Sequence, residues 1–381
     1  MKLAALLALA LGGFAGGVFV GRYQYPPYRL AERLHERFLK SEAQKERERR
    51  AEARYWEPSP DYALNDIPSL IRIRSAADVA AARARLVEAI WRGRGYPRDK
   101  MPAAVERDVR DGAFAAVPNL GAIDRLTVEM DYGLNSVAYH FRPSSANNRL
   151  VVYHAGHSED LAAARRQISF FIGRGYSVMG LAMPLEGMNS RPVVEVGGVG
   201  RMRLKSHAQL AYLDAPLRFF AEPVAAALNY VGKHYAYDLV AMAGFSGGGW
   251  TTTLCAALDE RIARSYPVAG SVPEVLRGRW LDWGDFEQQT PELARAANSL
   301  ELYLLGSAGA GRRQLQVLNQ FDNCCFYGLR HGFYEPHVRA RLAELGAGSF
   351  SVLTDATHRE HRLSDFALGE IARDLEGGPA R

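Results

Sequence analysis

Asp238-Leu-Val-Ala-Met-Ala-Gly-Phe-Ser-Gly-Gly-Gly-Trp-Thr-Thr-Thr-Leu-Cys-Ala-Ala-Leu258 holds, in order, an apolar run suited to a buried strand, a serine set between glycines, and a small-residue helix. The core Gly244-Phe245-Ser246-Gly247-Gly248 fits a sharp strand-to-helix turn, in which the serine takes a strained backbone conformation and the residues two before and two after it must lack side chains. Ser246 then stands at the carboxyl end of a sheet. The helix that follows turns its positive end toward the serine, and the N–H of Gly247 points to where a substrate oxyanion would form. Cys255 lies in that helix as a small apolar filler rather than a nucleophile.

Around this turn the hydrophobic period changes repeatedly. A helix is predicted from Ser75 to Trp91, with Val79, Ala82, Leu86 and Ile90 on one face. Leu126–Met130 and Ser136–Phe141 alternate as the two arms of a hairpin, and Leu150–Tyr153 reads as the next strand. Further strands are predicted at Tyr176–Met183, Leu239–Ala243, Ser265–Ala269, Leu300–Leu305 and Ser349–Thr354. Helices are predicted at Leu161–Gly173, His207–Tyr235, His337–Leu345 and from Ser364 onward. The fold class is therefore α/β: a mostly parallel central sheet with an antiparallel N-terminal hairpin and helices on both faces. The glycines of Gly197–Gly200 fail the dinucleotide fingerprint, because Arg203 holds the third glycine position; they read as a flexible part of an insertion over residues 184–206, a candidate lid.

Ahead of this domain, Leu3 to Val20 is an uncharged apolar run long enough to span a bilayer. Without an Ala-x-Ala cleavage site it reads as an uncleaved anchor over residues 1–21, with a cleaved signal peptide as the alternative. Arg22, Arg29, Arg33, Arg37 and Lys40 follow it, which favours a cytoplasmic domain. Gly12, Gly13, Gly16, Gly17 and Gly21 offer small-residue spacings through which two spans would pack as a homodimer. Residues 22–60 form a charged stalk helix and linker ending at Glu57-Pro-Ser-Pro60, and residues 61–381 the main domain, with a brace over 61–122 and a core over 123–375. The net charge of +5 is spread among acids with no aromatic-basic platform, which argues against nucleic acid as a partner. Three cysteines cannot build a disulfide framework.

The Gly244–Gly248 turn, the loop Tyr153-His154-Ala155-Gly156-His157 after an early strand, and a late histidine after the last strand together resemble the α/β-hydrolase fold superfamily over roughly Ile123 to Leu375. The resemblance implies a serine nucleophile, an acid and a histidine in that chain order, and backbone N–H groups as an oxyanion hole. It points to Ser246 as nucleophile and to Gly247, Gly156 and His157 as donors. His358 and His361 compete as base; the short loop after the strand, with Asp355 three residues earlier, favours His358. The acid is expected soon after the Leu300–Leu305 strand, yet residues 308–316 carry no carboxylate, so Asp322 is the first candidate; Asp282 and Asp285 read as lid or pocket wall.

No cofactor is implied, and neither His154-x-x-His157 nor His358-x-x-His361 belongs to a recognisable metal signature. The expected activity is hydrolysis of a small-molecule carboxylic ester through an acyl-enzyme. An inactive ligand- or partner-binding protein of the same fold, and an acyltransferase using the same serine, stand as alternatives.

Overall fold

The computed structural model describes residues 57–278 and 280–377, with the isolated positions 41 and 43. The apolar run Leu3–Val20, its glycines and the charged stalk lie outside the described residues; among the described residues no helix is long and apolar enough to cross a membrane. Residues from Pro58 onward form one compact unit.

Its frame is a nine-stranded sheet. A short edge strand β1 (Ala104–Glu106) pairs antiparallel with β2 (Leu120–Val128), which pairs antiparallel with β3 (Ser136–Pro143). β4 (Arg149–His154) and β5 (Ser177–Leu181) follow, and a separate hairpin of β6 (Val193–Val196) and β7 (Gly200–Arg203) precedes β8 (Leu239–Phe245), β9 (Arg264–Val268), β10 (Arg313–Asn319) and β11 (Ser349–Asp355). The large sheet runs β1-β2-β3-β5-β4-β8-β9-β10-β11, and every pairing from β5 to β11 is parallel.

The parallel strands are apolar on both faces because helices cover both. Leu150 and Val152 of β4 and Met242 of β8 join the core under the helices Ala76–Trp91, Arg218–His234, Gly247–Leu258 and Ser299–Ser307. Val151, Tyr153, Ala241, Ala243 and Phe245 pack on the opposite face against Arg165–Ile172 and Asp365–Leu375.

The chain leaves β4 toward β5 on one side and returns to β8 on the other. The carboxyl ends of β4 and β8 therefore flank a switch point, where open α/β sheets leave a crevice.

Two expectations change. Leu300–Leu305 is not a strand but the middle of the helix Ser299–Ser307. A short apolar run cannot by itself be told from a buried helix, and here Asn298 and Glu301 close a capping box that starts the helix, while Glu301 also pairs with Arg72. The expected helix His207–Tyr235 breaks into His207–Leu210 and Arg218–His234: Ala215, held at φ 49° before Pro216, cannot continue it. The Gly197–Gly200 glycines lie at the turn of the β6–β7 hairpin, with Gly198 and Gly200 at φ 78° and 90°.

Candidate active site

Ser246 has φ 55° and ψ −121°, the strained conformation expected of a serine at this turn. The flanking glycines are required by space. A Cβ on Gly244 would lie 2.2 Å from the carbonyl oxygen of Gly248, and one on Gly248 would lie 2.1 Å from that of His154. The helix Gly247–Leu258 that follows is buried along its whole length. Its threonines are satisfied internally: the hydroxyls of Thr251, Thr252 and Thr253 donate to the carbonyls of Gly247, Gly248 and Gly249 at 3.1, 2.8 and 3.2 Å. Burial pushes the Cys255 thiol up, in keeping with a structural residue. Ser246 itself remains partly exposed.

Of the two late histidines, His361 lies within hydrogen-bond reach of Ser246, whereas His358 lies against Asp355. His361 Nε2 lies 2.8 Å from Ser246 Oγ, and His361 Nδ1 lies 2.7 Å from Asp322 Oδ2. The ring of Phe245, inside the Gly-x-Ser-x-Gly turn, packs on the imidazole at a centroid distance of 4.6 Å. His358 is buried beside Asp355, 3.3 Å from its Oδ2. The local reason is the turn built by Asp355, whose Oδ1 accepts from Thr357 N at 2.9 Å and Thr357 Oγ1 at 2.6 Å, while Oδ2 accepts from Ser364 Oγ. Ser364 in turn caps the last helix. This brace holds His358 inside the loop, and three further residues carry the chain to the serine.

Asp322 reaches the same place from β10. Because Leu300–Leu305 is a helix, the strand beside β9 is β10, and Asp322 stands three residues beyond its end. β10 and β11 pair parallel and in register up to Asn319 and Asp355, so their following loops run side by side, joined by Asn323 N to Arg359 O at 3.2 Å. Asp322 is fully buried and accepts from Cys324 N at 2.8 Å and Asn319 Nδ2 at 3.0 Å. Burial of His361 opposes its charged form, but the hydrogen bond and charge of Asp322 outweigh this, with Cys324 and Glu159 adding to them. The net effect raises the His361 pKa above its ordinary 6.5.

The three expected donors differ in state. Gly247 opens the helix, where the first N–H groups have no partner within the helix. Gly156 lies against the serine, since a Cβ there would be 3.2 Å from Ser246 Cβ; its N–H, however, already donates to Glu159 Oε2 at 3.0 Å. Burial raises the Glu159 carboxyl, against the lowering effects of that N–H and of His361. Glu159 was not singled out in the sequence; its place three residues after a loop glycine was the available cue.

His157 turns its ring onto Gly247, so that a Cβ there would lie 2.5 Å from His157 Nδ1. His154 is a buried core histidine, its pKa pushed down to about 4 by burial, with Nδ1 2.9 Å from Ala155 O. Asp282 is a buried ion-pair partner of Arg330 at 2.7 Å, and Asp285 is exposed beside His157. A separate cavity, bounded by Asp108, Arg110, Phe114 and Ile123, belongs to the antiparallel end of the sheet and contains none of these groups.

No family model matches the chain, and no curated protein sequence does. Solved structures do. The methylesterase BT1017 superposes with a TM-score of 0.55 at 15% identity, covering 86% of this chain and 67% of that one. A glucuronoyl esterase from Solibacter usitatus superposes with a TM-score of 0.50 at 12% identity, covering 79% and 92%. The chain has the α/β-hydrolase fold.

Proposed function

We propose that the protein is a serine hydrolase acting on carboxylic esters. The observation that carries this reading is the unbroken hydrogen-bonded chain Ser246 Oγ, His361, Asp322 at 2.8 and 2.7 Å, starting from a strained serine at the switch point of the sheet. The esterase names of the two structural neighbours point the same way.

In the first half-reaction His361 Nε2 accepts the Ser246 proton as Oγ attacks the ester carbonyl, and Asp322 holds Nδ1–H and stabilises the imidazolium. The negative oxygen forms toward the N–H of Gly247 and the loop after β4, where each donor contributes about 2.7–4 kcal/mol to the transition state. His361 then gives its proton to the leaving alkoxide. Water, deprotonated by the same nitrogen, releases the acid and restores the serine. The test is labelling of the full-length protein by a fluorophosphonate: a covalent adduct on the wild type that is absent in Ser246→Ala supports the reading, and a folded wild type that takes no label defeats it.

We also propose that Leu3–Val20 anchors the chain in a bilayer. Retention of the full chain in the membrane pellet after alkaline carbonate extraction supports this, and release into the supernatant refutes it.

A further inference from the structure

Beside the serine, three segments far apart in sequence bring four metal-ligating side chains together. His157 comes from the loop after β4, His207 from the chain just beyond the β6–β7 hairpin, and Asp285 and Glu287 from the segment between β9 and β10. His157 Nε2 lies 3.0 Å from Asp285 Oδ2, 3.0 Å from Glu287 Oε1 and 3.2 Å from His207 Nδ1. Glu287 Oε2 lies 3.4 Å from His207 Nδ1.

Hydrogen bonding between neutral imidazoles and these carboxylates does not account for this cluster. A neutral imidazole nitrogen carries at most one proton, yet His157 Nε2 faces three groups that all offer lone pairs. The state of His207 follows from its other side: its Nε2 is 2.9 Å from the carbonyl oxygen of Pro184 and must donate, so in the neutral ring Nδ1 presents a lone pair to the cluster. A ring nitrogen tied to a backbone carbonyl, with the other nitrogen aimed at a shared point, is the outer-shell arrangement that orients metal-bound histidines. Glu287 supplies the second observation. It is fully buried, and its Oε2 has no hydrogen-bond partner. With the imidazoles neutral, a buried carboxylate with an orphaned oxygen, next to a second carboxylate on the same imidazole, leaves uncompensated negative charge.

The spacing suits a small cation. Four ligand atoms at about 2.0–2.2 Å from a tetrahedral centre lie roughly 3.3–3.6 Å apart; four of the separations here are 3.0–3.4 Å, and one ligand atom from each of the four residues lies within 4.8 Å of the others. Two imidazoles and two carboxylates match zinc-class chemistry better than calcium or magnesium, which prefer all-oxygen sets. Asp285 is exposed and leaves an entry path from solvent.

We propose that His157, His207, Asp285 and Glu287 form a binding site for one divalent transition-metal ion of the zinc class. The ion ties the β4 loop, whose His157 ring covers Gly247, to the segments that carry His207 and the Asp285–Glu287 pair. Its binding is independent of whether Ser246 turns over an ester.

The test uses the full-length protein stripped with a chelator and titrated with cobalt(II). One equivalent is expected to give the intense visible bands of a tetrahedral ion with nitrogen and oxygen ligands and no thiolate charge-transfer band. Glu287→Gln, which keeps the side-chain shape, and His207→Ala are each expected to weaken binding by more than the roughly 10–100-fold typical of an outer-shell loss. Cys325→Ser is expected to leave the spectrum unchanged, which separates this site from the Cys324, Cys325 and His361 group. Absence of saturable binding by the folded wild type overturns the proposal, and so does a spectrum with thiolate bands that Cys325→Ser abolishes. X-ray absorption of the zinc-loaded wild type, expected to show two imidazoles and only nitrogen and oxygen neighbours, decides the matter without any variant; sulfur in the first shell overturns it.

Discussion

The carboxylate of Glu159 accepts the backbone N–H of Gly156 at 3.0 Å, in the loop that lies against Ser246. That N–H is one of the groups expected to receive the oxyanion, so in this conformation an anion of the protein already holds it. Substrate must displace the carboxylate, and a hydrogen bond to a charged group is worth about 1.5–3 kcal/mol. Glu159→Ala is therefore expected to raise kcat/KM on a small aryl ester by roughly tenfold or more. A fall in kcat/KM in a variant with unchanged thermal stability would show that Glu159 assists the reaction.

The pH dependence follows from His361. It accepts a proton only when neutral, and its pKa is raised above 6.5 by Asp322 against the opposing effect of burial. The acid limb of kcat/KM should have its midpoint above pH 6.5, with activity lost as pH falls through it. Glu159→Ala removes one of the raising charges, so its limb should shift to lower pH. A midpoint well below 6.5 in the wild type would contradict the assignment of His361 as base.

Asp322→Asn keeps the shape but no longer holds the Nδ1–H tautomer or stabilises the imidazolium. A loss of about 10⁴-fold in kcat is expected, together with a downward shift of the acid limb. Wild-type turnover in this variant would remove Asp322 from the reaction.

The two late histidines separate cleanly by substitution. His361→Ala should lower kcat by at least about 10³-fold. His358→Asn should keep most of the turnover, because His358 contacts Asp355 rather than the serine; its effect belongs to stability, since the side chain is buried. The reverse ranking, measured by steady-state kinetics on folded proteins, would restore His358 as base.

Gly248→Ala tests the turn itself. The added Cβ meets the backbone carbonyl of His154 at 2.1 Å, which no rotamer change relieves. Destabilisation of more than about 3 kcal/mol is expected in denaturant unfolding. A near-neutral value would mean that β4 and the helix Gly247–Leu258 are less tightly joined than the structure shows.

The amino-acid order alone was enough for the elements whose signals are local. Gly244 and Gly248 mark a turn that only glycine permits, the alternation over Leu126–Phe141 marks the hairpin, and Ser75 and Ser364 mark helix starts. Even the helix at Ser299–Ser307 had a local sign in the pair Asn298 and Glu301, which the apolar run Leu300–Leu305 masked. The choice between His358 and His361 depended on tertiary structure, because the turn around Asp355 determines which ring is held inside the loop and which reaches the serine. Asp322 meets His361 because β10 and β11 pair in register, and Glu287 meets His157 across 130 positions of chain. Side-chain type and short-range spacing are written along the polymer, whereas the approach of groups separated by whole strands and helices arises only when their apolar faces are buried against a common sheet.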